Sequence, residues 1–225
     1  MNTDSSNFVA LLDRLRWIKR WGLKRNVTEE NVMEHSWQVA GICHLLCLLH
    51  NREVGVAQQV EVGQVVLAAI YHDCSEVLTS DLPTPIKYHN PEIRQAFLLI
   101  EQQAEHSLLD LVPSELQAEL RPLLLSSELP ASHKALIKAA DLISALIKCH
   151  HELQAGNQEF RDAQDNLQQR LAQLQLPGLE RYLQLFATDN SNTLDQQLVG
   201  PDAMQKWLDQ HDRQQLAEIS KKSSK

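Results

Sequence analysis

Glycine and proline are scarce in this chain, 7 and 8 of its 225 residues. No alternating polar–apolar run exceeds a few residues, so a sheet has neither its pattern nor its turns. No cysteine pair has the CxxC spacing of a structural zinc site. Cys43 and Cys47, one helical turn apart, read as packing residues. The longest apolar runs, such as VVLAAIY at 65–71, are too short to span a bilayer. The opening MNTDSSN has no basic start and no apolar stretch, so no secretory signal is expected. A cytoplasmic location with reduced thiols follows as the expectation. Positive charge is also short: the net charge is −8. That argues against nucleic acid or an anionic membrane as partner and leaves room for a small anion at a locally basic site.

What is present is helix-forming. Leu, Gln, Ala and Glu dominate, and 43% hydrophobic residues provide for a core. Phe8, Leu11, Leu12, Leu15 and Ile18 lie on one face of a helix over about 5–19. Thr28 is the expected cap of a second helix running to about Asn51, apolar on most sides and so central. A third is expected over about 57–79, ended by SDLPTP. Asn90-Pro91 opens a fourth, to about Leu111, followed by a short one over 114–126. Ser132 is read as the cap of a long helix to about 154, closed by Gly156. Further helices are expected at 158–174 and 178–187, then a loop. A last amphipathic segment at 201–219 carries Met204, Trp207, Leu208, Leu216 and Ile219. The fold class is all-α, with one domain over 1–190 and a C-terminal helical appendage over 191–225.

Four side chains on these helices are of metal-ligating type: His35, the adjacent pair His72 and Asp73, and Asp141. They fall in three different segments, so an ion held by them ties three helices together. Imidazole with carboxylate suits a transition metal. Four protein ligands on a six-coordinate ion leave room for water and a substrate oxygen, as a metallohydrolase requires. Asp141 sits among Ala139, Ala140, Leu142 and Ile143, where a carboxylate is costly unless partnered. Glu76 lies four residues after His72 and three after Asp73, so it is expected to share their helical face. Of the other histidines, His44, His50, His106, His133, His150 and His151 read as ordinary surface or core residues, and His89 stays open. Arg20 offers a donor fork suited to phosphate, or belongs to a solvated basic face with Arg14, Arg16, Lys19, Lys24 and Arg25. Trp21 reads as core, or as a wall against a sugar. Lys87 is read as a loop lysine.

Four stretches carry a resemblance: RLRWIKRWGLKRNV at 14–27, ENVMEHSWQVA at 30–40, YHDCSEVLTSDLPTPIKY at 71–88 and KAADLISALIKCHHELQAGNQEF at 138–160. Over roughly 7–190 the chain resembles the bacterial 5'-deoxynucleotidase family of the HD-domain metal-dependent phosphohydrolases. The resemblance implies an HD-domain helical bundle, core about 28–145, with its metal between three helices. It implies His35, His72, Asp73 and Asp141 as ligands and Glu76 as the residue that handles the proton or orients the attacking water. Arg20 and Trp21 are implied as part of the nucleotide site, Asp73 as a shared contact, and Asp81, Leu82, Pro83 and Thr84 as the sugar side. The implied reaction is hydrolysis of 2'-deoxyribonucleoside 5'-monophosphates to deoxyribonucleoside and phosphate, by water attacking phosphorus in line. Cobalt, manganese or copper is implied as the activating metal, and a homodimer as the assembly. Ser80 departs from the pattern, standing where glycine is expected, and the segment after about Asn190 is unfamiliar. The alternatives are an HD phosphohydrolase acting on another nucleotide, and a non-catalytic HD module that binds a nucleotide or a partner.

Overall fold

Side-chain caps start three of the ten α-helices among the described residues. The computed structural model describes residues 5–87 and 89–186. Helix α1 (Phe8–Arg14) is shorter than its apolar pattern, because Leu15–Trp17 tightens into a 3-10 turn and Ile18 turns extended. Helix α2 (Val32–Glu53) begins after Asn31, whose side chain accepts the Glu34 N–H at 3.0 Å. Thr28 is therefore not the cap, and Thr28 to Glu30 lie in the loop before it. Helix α3 (Val62–Tyr71) is capped by Glu61, which accepts the N–H groups of Gly63 and Gln64. It stops before His72. A tight turn follows, closed by the Cys74 N–H to Tyr71 and the Glu76 N–H to Asp73. Helix α4 (Glu76–Thr79) comes next, so the expected continuous helix over 57–79 is broken at the HD pair.

Helix α5 (Thr84–Lys87) is a single turn within the proline-rich segment. Helix α6 (Pro91–Asp110) starts as expected, with Asn90 accepting the Ile93 N–H at 2.7 Å. Helix α7 covers Gln117–Leu124. Helix α8 (Ala131–Gln154) starts directly after Pro130, with no side-chain cap, so Ser132 lies inside it. Helix α9 (Arg161–Gln173) follows a 3-10 turn at Gln158–Phe160, and α10 covers Leu179–Leu185. Gly178, at φ 86°, begins α10 where a Cβ would stand 2.6 Å from the His50 backbone nitrogen, so that approach to α2 requires glycine. The expected segment at 201–219 and the appendage over 191–225 lie outside the described residues.

Helices α2, α3 and α8 make the centre, with α9 against α8 and α10 against α2. Their contact is the main core, including Val39, Leu46, Val65, Ala68, Leu136, Ala140 and Ile143. A second core joins Phe8, Leu15, Val32, Cys74, Leu108 and Leu125. Tyr71 packs against both, and the HD pair follows it directly. Helix α2 is central but not buried all round: Glu34, Trp37, Gly41, His44 and Leu48 form an exposed stripe, with Trp37 at 80% exposure. Among the described residues no helix is long and apolar enough to cross a membrane. The fold is all-α there, with one isolated backbone bridge, Lys19 to Asn31.

Candidate metal centre and active site

The first turn of α2, the end of α3 and the middle of α8 meet at one point. His35 Nε2 lies 3.6 Å from Asp73 Oδ2 and 3.2 Å from Asp141 Oδ1. His72 Nε2 lies 3.1 Å from Asp73 Oδ2. His35, His72 and Asp73 form a compact trio whose candidate ligand atoms all lie within 4.8 Å of one another. Asp141 joins through His35, while its other oxygen takes Lys138 Nζ at 2.6 Å.

The imidazoles are prepared for a cation. Ser144 Oγ donates to Gln38 Oε1 at 2.6 Å, so at 3.0 Å it accepts from His35 Nδ1–H. The Ala69 carbonyl can only accept, so His72 Nδ1 carries the hydrogen in that 2.8 Å bond. Both Nε2 atoms then present lone pairs, and both are buried without a hydrogen-bond partner. Two orphaned, correctly protonated imidazoles beside two carboxylates fit a divalent metal by donor type. The charges agree. Burial pushes the Asp73 carboxyl up, but His72, His35 and Arg20 hold it well below the usual range. For Asp141, too, burial is outweighed, by the adjacent His35 imidazole and by Lys138. Burial works against a proton on His72, yet the Asp73 carboxylate raises its affinity for one.

Arg20 reaches this point from the loop before α2. Its NH1 lies 3.3 Å from Asp73 Oδ2 and its Nε 3.2 Å from Glu30 Oε2. Burial opposes its charge, but the carboxylates of Asp73 and Glu30 more than restore it. Trp21 donates from Nε1 to the same Glu30 oxygen at 2.9 Å and packs on Phe160, ring centroids 5.2 Å apart. Its φ is 60°, a strained value for a bulky L-residue and a pointer to function. Ser80 is the second such residue, at φ 62° and ψ 163°. Only glycine takes that region freely, which accounts for the glycine expected there.

A cavity of about 690 Å³ opens beside the cluster, lined by Arg20, Trp21, Lys24, Asp81, Pro83, Thr84, Lys138, Asp141, Asn166 and Arg170 among others. Leu82, expected with them, is half-buried and does not line it. A smaller cavity of about 210 Å³ reaches His72, Asp73 and Asp141 from the side of α7. Glu76 lines neither. It is buried, and its Oε2 has no hydrogen-bond partner. Burial first, then the Asp73 and Asp81 carboxylates, push its carboxyl up to about 9. Burial likewise raises Asp81.

Ser144, Gln38, Lys138 and Glu30 escaped the reading of the sequence. Three of them had a signal: Gln38 follows His35 by three residues, and Ser144 follows and Lys138 precedes Asp141 by three. A polar residue one turn from a ligand shares its helical face. Glu30 had none, since it acts across a loop.

The helical fold is the one seen in solved HD-domain phosphohydrolases. An HD-domain phosphohydrolase from Listeria innocua superposes with TM-score 0.70 at 21% identity, over 80% of this chain and 86% of that one. The HD phosphohydrolase of cyanophage S-2L, solved with dA and one catalytic Zn2+ ion, superposes with TM-score 0.53 at 22% identity, over 78% and 91%. The family described as 5'-deoxynucleotidase YfbR-like matches residues 7–190, and the chain belongs to it. A 5'-deoxynucleotidase of Vibrio parahaemolyticus is 44% identical over 191 residues, covering 85% of this chain and 97% of its own. One of Yersinia pestis is 44% identical over 191 residues, covering 85% and 96%.

Proposed function

We propose that the chain hydrolyses 2'-deoxyribonucleoside 5'-monophosphates to deoxyribonucleoside and phosphate. The observation that carries this reading is the pair of orphaned imidazole nitrogens beside Asp73, adjoining a cavity that Arg20 and Trp21 line. Membership of the family, and relatives named 5'-deoxynucleotidase at 44% identity, support the substrate class. The dA and Zn2+ in the cyanophage enzyme are consistent with it.

In this reading His35, His72, Asp73 and Asp141 would hold a divalent cation, which when bound would neutralise phosphoryl charge and lower the pKa of water. Arg20, charged and fixed by two carboxylates, directs its donor fork to the phosphate. Glu76 assists the proton of the attacking water. Its carboxyl is buried beside Asp73 and Asp81, and burial and both carboxylates raise its affinity for a proton, the property a group that handles the proton in this reaction needs. Trp21 walls the sugar at C2', Asp81 accepts from the 3'-hydroxyl, and Leu82, Pro83 and Thr84 complete that side, Leu82 from outside the cavity lining.

Cobalt, manganese or copper as activator, a cytoplasmic location and a homodimer belong to the same proposal. For the dimer, Trp37 and Leu48 on the outward stripe of α2 offer apolar surface. Light scattering after gel filtration tests it. The activity is tested by phosphate release from paired deoxy and ribo monophosphates, with deoxynucleoside triphosphates as a third arm. Release from the deoxy monophosphates should dominate. Preferred turnover of triphosphates would replace this reading with a different phosphohydrolase.

A further inference from the structure

Two of the four resemblance-bearing stretches, 14–27 and 138–160, contain far more than a phosphate ligand and a metal ligand. The structure places their remaining residues against one another. The loop that carries Arg20 and Trp21 is closed at its base by backbone pairing, Arg20 N–H to Glu30 O and Val32 N–H to Ile18 O, both 3.0 Å. Its far end is itself neither helix nor strand. Instead Glu152, on the last turns of α8 and 1% exposed, accepts the backbone N–H of Val27 at 2.9 Å and of Thr28 at 3.1 Å. Lys148, 5% exposed and one turn earlier, donates to the Thr28 carbonyl and to Glu152. Asn157 Nδ2 bonds Glu152 Oε2 at 2.8 Å and the Arg25 carbonyl at 2.7 Å. Phe160, fully buried, meets the Trp21 ring, and Lys24 Nζ and Lys148 Nζ lie 5.2 and 5.5 Å from its own.

A fully buried ion pair is costly to bury and seldom adds net stability over apolar residues of like size. Here nearly every bond it makes beyond itself goes to the backbone of one loop. That loop bears the strained Trp21, and strain of this kind persists only where the surroundings over-determine it. We propose that Lys148, Glu152 and Asn157 form a positioning clamp that fixes the Arg20–Trp21 loop and thereby sets nucleotide affinity and sugar discrimination without touching substrate. The proposal rests on the nucleotide site described above and adds positioning residues to it.

The test compares the full-length, metal-loaded enzyme with Glu152→Gln, which removes the charge and keeps the shape, assayed well below the melting temperature of either. A fixed loop predicts that KM for a deoxyribonucleoside 5'-monophosphate rises about tenfold or more in the variant, by a larger factor than kcat falls. The deoxy-to-ribo ratio of kcat/KM shrinks, bound metal stays unchanged, and the amides of Val27 and Thr28 exchange hydrogen faster while α2 and α3 do not. A purely structural role lowers the folded fraction and hence apparent kcat, and leaves KM and the ratio as in the wild type. That result overturns the clamp. If Glu152→Gln does not fold, Asn157→Ser decides by the same readouts, since it can keep the acceptor for the Glu159 N–H while losing the donor to Arg25. If the wild type hydrolyses no deoxynucleotide, the functional reading fails, and amide exchange alone judges the clamp.

Discussion

His35 donates from Nδ1 to Ser144 Oγ at 3.0 Å, and that bond decides which of its nitrogens faces Asp73 and Asp141. Ser144 is fixed as the acceptor because its own hydrogen goes to Gln38. Ser144→Ala removes the partner that selects the tautomer. It is expected to lower metal affinity about 10- to 100-fold, as loss of an outer hydrogen-bond partner does. Titration of the stripped protein with metal measures this, with helicity as control. An unchanged affinity means that the Ser144 bond does not orient His35.

Glu76→Ala should keep metal and nucleotide binding while kcat falls about 100-fold or more, the loss expected for a general acid–base group. Its Oε2 is buried and has no hydrogen-bond partner. Metal loss in that variant, read by elemental analysis, makes Glu76 a ligand or a support instead.

Ser80→Gly should stabilise the protein. The backbone conformation at Ser80 costs a non-glycine residue on the order of 1–3 kcal/mol. Glycine returns about 0.4–1 kcal/mol of that through the entropy of the unfolded chain. The melting temperature should rise by a few degrees, at roughly 2–4 °C per kcal/mol for a chain of this size. A fall shows that the serine side chain supplies more than its strain costs.

Glu152 makes stability depend on pH. Burial raises its pKa, but Lys148, the Val27 N–H and Asn157 hold it at about 2, against 4.5 when unfolded. A depressed folded pKa means stability fully present above about 4.5 and lost as pH falls toward 2. Glu152→Gln should therefore melt below the wild type at neutral pH, and the gap should close as pH approaches 2. Breaking a buried pair costs roughly 3–5 kcal/mol, so a gap of about 6–20 °C is expected at pH 7. A gap independent of pH places the Glu152 contribution outside its charge.

Trp21→Ala should narrow the difference in kcat/KM between deoxy and ribo monophosphates, because a steric wall against a hydroxyl is relaxed by trimming it. An unchanged ratio with the fold intact by circular dichroism moves the selection to Asp81.

The site was legible where chemistry is unusual for its surroundings. Asp141 among alanines and leucines, and an HD pair ending an apolar helix, are costly patterns that announce a partner. Helix interiors were legible for the same reason of periodicity. Helix starts were less so: Thr28 and Asn31 are both good caps, and the choice depends on Thr28 being held by Glu152 instead. The break at His72 was hidden because no proline or glycine marks it. The Glu152 clamp and Glu30 were hidden because contacts between distant segments have no periodicity.

The central claim, metal-dependent hydrolysis selective for deoxynucleotides, meets its most direct test in one assay. The protein is stripped with chelator, and phosphate release from matched deoxy and ribo monophosphates is followed as single divalent metals are restored. The account predicts negligible release from the stripped protein, recovery with a transition metal, and a higher kcat/KM for every deoxy member of a pair. Full turnover after stripping, or equal turnover of both sugars, contradicts it.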